Sequence, residues 1–352
     1  MKRTLKLELL SIGCMALAAM TLIATVPAAD KPKANRQAKT QKVQAGKTTL
    51  TVGKPLTQGN LTVFPVYGQA QRKVGSQYLS LGEALKKQLI VVKEMPDAEV
   101  NRVSVTSKAG KPLYLMAGDI ILGGQQDREI ARDTIVPKAA KNYVVEVFCV
   151  EHGRWTGSQH FSGGEIASSS LRRETQQTKQ QERVWNKVAQ EVQTLKAQTS
   201  SGTYRAVASN QAAQNNVSAY VKALGARLKT DRRALGLVVA INGQVTAADV
   251  FADPHLFQQQ LSKLLKSYAL DAVQDKANWA RLRKKPVPSA PAALQLLRDA
   301  DRGVERTTAR SMSTVNRERE NASTVVFDAA PQGPSTTGSA AAPAHRNIYR
   351  KK

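Results

Sequence analysis

The stretch PLYLMAGDIILGGQQDREIARDTIVPKAAKNYVVEVFCVEHGRW, from Pro112 to Trp155, decides how the chain folds. Residues 113–122 are apolar on both alternations apart from Gly118-Asp119, and residues 143–150 apart from Glu146. A strand that is apolar on both faces lies inside a packed structure, with another layer covering each side. Between the two runs sits a polar loop, Gly123-Gly124-Gln125-Gln126-Asp127-Arg128, and the second run ends in Glu151-His152-Gly153-Arg154-Trp155. No other stretch sets so many chemically distinctive residues beside so much apolar strand. Short strands joined by Gly- and Pro-marked turns point to a β-sandwich or a jelly-roll-like barrel.

Upstream, residues 49–52 and 61–66 read as strands separated by a Gly59-Asn60 turn. Ser80 with Glu83 three residues on has capping-box spacing and predicts a short helix over 81–87. Residues 89–92 read as a strand closed by Lys93-Glu94-Met95-Pro96. The alternation over 100–106 marks a half-buried strand.

Downstream, residues 168–198 are rich in Gln, Lys, Glu and Arg. Val184, Val188, Val192 and Leu195 recur at helical spacing, so one long exposed helix with a narrow apolar seam is expected. Val217, Val221, Leu224 and Leu228 mark a second helix. Residues 235–251 form the clearest hairpin, because Asn242-Gly243 accepts the positive φ of a two-residue turn. Asp253 is then an N-cap with Pro254 at the first helical position. The helix that follows shows Phe257, Leu261, Leu264, Leu265 and Tyr268 on one face. Past residue 273 the pattern fades into a basic stretch, Arg281 to Pro286, a short helix around Leu294, Leu296 and Leu297, and a possible edge strand at 324–327. From Pro331 the composition of Pro, Gly, Ser, Thr and Ala reads as a disordered tail. The whole predicts an α+β fold: a mostly antiparallel sandwich or barrel, two or three packed helices, and disordered basic termini.

The start of the chain reads as an address. Lys2, Arg3 and Lys6 precede an apolar run over 9–26, and Val26-Pro27-Ala28-Ala29 offers small residues for cleavage. That pattern predicts a secretory signal peptide over 1–29, hence a secreted or periplasmic protein. A Lys-rich linker follows over 30–47, then a single domain over 48–273, a basic linker over 274–330 and the tail over 331–352. The mature chain keeps one cysteine, Cys149, which cannot form an internal disulfide and whose apolar setting reads as buried.

The formal net charge is +25. Such a field favours polyanionic neighbours and says nothing of the fold. Export, 5% aromatic residues and the lack of zinc-finger, RRM-like or basic-zipper patterns weigh against nucleic acid. Anionic cell-envelope components, or another envelope protein, are the expected partners.

The loop over 123–128 has two readings. Its glycines let backbone approach a ligand, with Asp127 and Arg128 adding a carboxylate and a planar donor fork. Alternatively it is a tight turn in which both side chains hold the fold. It is neither a Walker A loop nor a dinucleotide fingerprint. Glu151, Arg154 and Trp155 divide the same way, into a site at a strand end or an ion pair under an aromatic lid. Glu94, Asp127 and Glu151 could converge as an acid cluster for acid–base work. Cys149 and His152 stand an odd number of residues apart, and no tight Cys/His pair appears, so no metal site is expected. No Gly-x-Ser-x-Gly elbow supports a serine hydrolase, and no cofactor is implied.

These residues also carry a resemblance. Residues 113–124 leading into Gln125-Gln126-Asp127-Arg128, followed by Val147-Phe148-Cys149-Val150-Glu151 and Gly153-Arg154-Trp155, resemble a bacterial domain family of uncharacterised function. It is the ARG- and rhodanese-phosphatase-superfamily-associated protein domain. The likeness extends to 79–85, to Ala240-Ile241-Asn242-Gly243 and to 264–272, so it covers roughly 48–273. The family name implies genomic company with ADP-ribosylglycohydrolase and phosphatase-like proteins, and it carries no catalytic residue over.

The leading expectation is a non-catalytic binding module of the envelope, with Gln126, Asp127, Arg128, Glu151, Arg154 and Trp155 as its recognition face. The alternatives are a hydrolase of a phosphate- or sugar-containing substrate, with Asp127 and Glu151 as acid and base, and a structural scaffold.

Overall fold

The computed structural model describes residues 42–45, 48–70, 77–96, 99–276, 286–332 and 343–351. The expected signal peptide, nearly all of the first linker, and the basic stretch over 281–285 lie outside the described residues. Three sheets and, among the described residues, seven helices make an α+β fold. Every strand pairing is antiparallel except the one between β5 and β8, defined below.

The largest sheet runs in the order β1 (Lys42–Ala45), β2 (Thr48–Val52), β4 (Leu61–Gly68), β14 (Gly236–Ile241), β15 (Gln244–Phe251), β19 (His345–Arg350), β18 (Thr324–Pro331), β17 (Thr314–Glu320) and β16 (Val304–Arg310), with β3 (Leu56–Gln58) also on β4. Its middle strands are apolar on both faces because both are covered. One face carries Phe64, Val66, Val238, Val326 and Ile348 against Leu294, Leu296 and Leu297 of helix α7 (Ala290–Ala300). The other face carries Leu61, Val63, Leu237, Val239 and Ala247 toward α5 (Gln211–Leu228) and α6 (Pro254–Gln274).

The second sheet closes on itself. Its order is β10 (Arg128–Ile130), β12 (Tyr143–Cys149), β7 (Arg102–Ser107), β6 (Ile90–Glu94), β13 (His160–Ile166) and β9 (Asp119–Gly123), which returns to β10. Alternate residues point inward. Ile90, Val92, Val103, Val105, Ile121, Ile130, Val145 and Val147 fill the barrel. A small third sheet joins β11 (Thr134–Val136), β8 (Leu113–Leu115) and β5 (Leu79–Ser80), with α1 (Leu81–Lys86) beside it.

Several local readings hold. Ser80 caps α1 by accepting from the Glu83 N–H. Asn242 and Gly243 both take positive φ in the β14–β15 hairpin. Asp253 caps α6 with bonds from the His255 and Leu256 N–H groups. Cys149 is a buried free thiol.

Other readings change. Residues 113–122 are two strands in two sheets, because the chain turns at Gly118 with φ +93 and a Cβ there would collide with the Arg172 side chain. The long helix over 168–198 is two, α2 (Ser169–Thr178) and α3 (Gln181–Thr194), broken where Lys179 takes φ 54. Between α3 and α5 the chain forms the one-turn helix α4 (Arg205–Ser209). The strand expected at an edge over 324–327 is β18, lying between β17 and β19. His345 to Arg350, expected within a structureless tail, is strand β19 between β15 and β18. Its alternation explains the seat: His345, Asn347 and Tyr349 face the polar and aromatic side, while Ile348 joins the opposite core. The C-terminal part of the chain thus completes the main sheet.

Candidate functional site

Two clusters of buried charge deserve comparison, and the first holds the residues singled out in the sequence. It closes one end of the barrel. Arg128 lies opposite Cys149 in the β10–β12 ladder, as Ile130 lies opposite Val147, so the aliphatic barrel core ends in Cys149 and Arg128. Glu94 follows Ile90 and Val92 on the inward face of β6. Arg128 is 1% exposed. Its Nη2 donates to both oxygens of Glu94 at 3.3 and 3.4 Å, and its Nη1 to Gln126 Oε1 at 2.9 Å and to the Cys149 sulfur. Burial pushes the Cys149 thiol up to about 11, against the lowering effect of the Arg128 charge. The thiol is therefore protonated and unreactive near neutrality.

The β9–β10 turn rests on this plug. Gly124 takes φ +55, and a Cβ there would meet Phe161 at 2.3 Å and Glu94 Oε1 at 2.4 Å, so only glycine fits. Glu94 Oε1 also accepts the Gln125 N–H at 2.8 Å. Asp127 Oδ1 accepts from Gly123 N (2.9 Å), Arg154 Nη2 (3.3 Å) and Arg205 Nη2 (2.7 Å). Its Oδ2 accepts from Thr203 Oγ1 (2.9 Å) and Arg205 Nε (3.2 Å). Glu151 Oε2 accepts from Asp127 N (3.1 Å) and from Arg154 Nε and Nη2 (3.0 and 2.6 Å), while Oε1 accepts from Ser201 Oγ (2.6 Å). Gln126 Nε2 donates to the Glu151 carbonyl at 2.8 Å. Arg154 completes the weave through the Gly123, Gly124 and Thr156 carbonyls.

Gln126, Asp127, Arg128, Glu151 and Arg154 are thus brought together, with Glu94 joined to them through Arg128. Trp155 is not a lid over the ion pair. It is 52% exposed and sets its ring edge-on to Trp185 of α3, which also receives the His152 ring at 4.6 Å. The sequence reading missed Thr203, Arg205, Ser201 and Trp185. Ser201, Thr203 and Arg205 stand 50, 76 and 78 residues from the carboxylates they bond, and Trp185 comes from helix α3, so nothing in local spacing announces them. Arg205 is the outward member, with its side chain 50% exposed.

The second cluster was not foreseen. Asp249 on β15 accepts from Arg172 Nη2 (3.0 Å) and Nη1 (3.4 Å), from Asn347 Nδ2 (2.8 Å), and from the Tyr268 hydroxyl. His345 bridges two carboxylates, with Nδ1 at 2.6 Å from Asp133 Oδ2 and Nε2 at 2.9 Å from Asp249 Oδ1. Tyr114 and the Ala117 N–H complete Asp133. Arg172, Asp249 and His345 are fully buried. Burial disfavours charge on His345, yet the flanking carboxylates raise it to about 9, and the same partnership holds both aspartates below the usual carboxylate range. Nearby, Glu129 is pushed up to about 8 by burial, which outweighs its bond from Thr175 and the charge of Arg172. The void at its edge, lined by Asp133, Thr175 and Gln176 among others, measures about 30 Å3, the size of one water.

A family model for the ARG and Rhodanese-Phosphatase-superfamily-associated Protein domain, ARPP-1, matches residues 49–340. The chain belongs to this family. The ARPP-1 match takes in the barrel-end cluster and runs on past residue 273 through β16, β17 and β18, in keeping with a sheet that the C-terminal strands complete. No match is found among curated proteins or among solved structures. Among the described residues, no group of three or more His, Cys, Asp or Glu side chains is placed to hold a metal ion, and no helix is long and apolar enough to cross a membrane.

Proposed function

We propose that this chain is an exported, non-catalytic binding module of the cell envelope, and that its recognition face is the outer surface of the barrel-end cluster, marked by Trp155, Arg154 and Arg205. One observation carries the reading: Asp127 and Glu151 are buried and take nine hydrogen bonds between them, five on Asp127 and four on Glu151. Carboxylates so surrounded by donors are engaged in holding the loop and its neighbours together rather than turned toward a substrate. The hydrolytic alternative, which needs this pair as acid and base, is correspondingly less supported.

What faces solvent is different in kind. Trp155 presents a half-exposed ring and Arg205 a half-exposed guanidinium, both held in place from below. Export rests on the leader-like pattern over 1–29, and the net charge of +25 favours anionic envelope components as neighbours.

The test is retention on purified peptidoglycan sacculi and on anionic phospholipid vesicles, for wild type, Trp155→Ala and Arg205→Ala. Retention that falls at least tenfold in both variants, with unchanged unfolding midpoints, supports the reading. Wild type that is retained by neither material, or variants that bind as well as wild type, would overturn it.

A further inference from the structure

Three helices meet around one serine. Ser170 lies in the first turn of α2, and two carboxylates reach it, Asp271 from α6 and Glu191 from α3. The Ser170 N–H donates to Asp271 Oδ2 at 2.9 Å. Its hydroxyl oxygen stands 2.7 Å from Asp271 Oδ1 and 3.3 Å from Glu191 Oε1. Ser168, the N-cap of α2, donates its hydroxyl to the same Glu191 Oε1 at 2.6 Å and accepts the Leu171 N–H at 3.0 Å. Gln274 Nε2 donates to Glu191 Oε2 at 2.9 Å. Glu191 is fully buried and Asp271 half-buried.

The hydrogens do not suffice for these contacts. A serine hydroxyl carries one donor hydrogen. Ser168 gives its hydrogen to Glu191. Ser170 can give its own to Asp271 or to Glu191, never to both. With both carboxylates ionised, the 2.7 Å contact is the bond. The 3.3 Å contact, longer than the roughly 2.5–3.0 Å of an O–H···O bond, then sets two oxygens face to face with no hydrogen between them. One proton from solvent completes the set. Bound at Asp271 Oδ1, it is donated to Ser170 Oγ. The Ser170 hydroxyl turns and donates to Glu191 Oε1, while Asp271 Oδ2 keeps the Ser170 N–H. One O–H bond forms, none breaks, and a like-charge pair becomes a neutral acid facing one anion.

The surroundings favour that proton. Burial and the facing Glu191 charge push the Asp271 carboxyl up to about 6, against the Ser170 bonds and the charge of Lys187. Lys187 Nζ, one turn before Glu191 on α3, lies 3.5 Å from Glu191 Oε1 and is a single cation beside two anions. The other groups around the pair keep their charge between pH 4 and 7. Tyr204 and Tyr349, which feel the Asp271 charge, are both held above the usual tyrosine range by burial. Glu129, which feels the Glu191 charge, is at about 8 and stays mostly protonated. Arg172 of α2 is matched by Asp249, and Lys266 of α6 by Glu165 of β13.

We propose that Ser170, Asp271 and Glu191 form a proton-operated clasp: protonation of Asp271 turns the Ser170 hydroxyl onto Glu191 and fastens α3 to α2 and α6, and loss of that proton loosens α3. The helix so fastened reaches the barrel end. Gln181 at its start brackets Cys149, accepting its N–H and donating to its carbonyl, both at 2.8 Å. Trp185, one turn on, carries the Trp155 ring. The folded Asp271 carboxyl lies above its ordinary 3.8, so the clasp is complete below that pH and is lost as pH rises through 6.

The experiment is urea unfolding of the full chain from pH 4 to pH 7, wild type beside Asp271→Asn. Asparagine copies the protonated acid: its Oδ1 accepts the Ser170 N–H and its Nδ2 donates to Ser170 Oγ. The two unfolding constants are expected to agree within about threefold at pH 4, and that of the variant to be roughly tenfold or more lower at pH 7, tenfold standing for each unit by which the carboxyl is raised. A ratio that does not change with pH would overturn the clasp. So would a variant less stable than wild type at pH 7, the result of an ionised Asp271 that only caps α2. Should that variant fail to fold, Glu191→Gln removes the facing charge, and its unfolding constant relative to wild type is expected to fall about threefold or more between pH 4 and 7. A flat ratio there is equally fatal. Amide exchange over 181–194, corrected for its intrinsic pH dependence, is expected to quicken about threefold or more from pH 5 to pH 7 in wild type, but not in Asp271→Asn. Equal protection of α3 at both pH values in wild type would refute the loosening.

Discussion

The cluster at the barrel end and the cluster around Asp249 solve the same problem in opposite settings. Each buries arginine and carboxylates, and each balances them, because an unmatched buried charge is costly while a matched one roughly breaks even. Around Asp249 every partner is itself inside: Arg172 from α2, Tyr268 from α6, His345 and Asn347 from β19. No surface is left over, and the cluster ties the C-terminal strand to two helices. Around Asp127 the inner partners are buried but the outer ones, Arg154 and Arg205, reach solvent, and a cavity opens beside Arg128. The lesson is that burial of charge by itself marks neither a site nor a scaffold. What separates the two is whether the network ends at a surface.

Substitutions can break that distinction or sharpen it. The largest effect is expected from Asp249→Ala, which strands Arg172 and unhooks His345. Breaking one side of a buried pair costs about 3–5 kcal/mol, read by denaturant unfolding. A loss under ~1 kcal/mol would mean that the sealed cluster holds nothing together.

Next comes pH. The folded His345 titrates at about 9 against an ordinary 6.5. Its contribution is fully present below 6.5 and is lost as pH rises through 9. At 1.36 kcal/mol per unit that is on the order of 3 kcal/mol. Glu129, raised to about 8, acts in the same direction, since its ionisation inside the protein is penalised increasingly as pH climbs from 4.5 to 8. Unfolding free energy is therefore expected to fall between pH 6.5 and 9, and His345→Gln should flatten most of that slope. A slope unchanged by the variant would refute the bridge.

Gly124→Ala, at the open cluster, combines a positive φ with a collision against Phe161 and is expected to cost about 1–3 kcal/mol by the same measurement. Arg205→Ala should change stability least, within about 1 kcal/mol, since its guanidinium is half exposed and the buried Asp127 keeps Gly123, Arg154 and Thr203 as donors. A larger loss would move Arg205 from the binding face to the framework.

How much of this the sequence could say depended on range. Elements set by neighbours in the chain were legible: the Asn242-Gly243 hairpin, the Ser80 and Asp253 caps, the apolar runs of β4, β12 and β14. The loop of Gly123 to Arg128 stood out because its residue types are unusual beside strand. Its partners were not legible, since Thr203 and Arg205 meet Asp127 only through the fold. Strand β19 was hidden by the Pro-, Gly- and Ala-rich composition before it. The signal that could have found it is the short alternation of His345, Asn347 and Tyr349 against Arg346 and Ile348. Strands β16 and β17 were hidden by their charge, which is tolerable on strands near a sheet edge where Arg306, Glu318, Arg319 and Glu305 pair across the ladder.

The central claim is that Asp127 and Glu151 hold the barrel-end loop in place and do no acid–base chemistry. The most direct measurement is the unfolding free energy of Asp127→Asn and Glu151→Gln against wild type, at one pH and without ligand. Residues that serve the framework lose stability when their acceptors become donors, and a loss of about 1–3 kcal/mol is expected in each. Catalytic carboxylates are held at a cost to the fold, so their neutral replacements leave stability unchanged or raise it. Two variants at least as stable as wild type would contradict the claim.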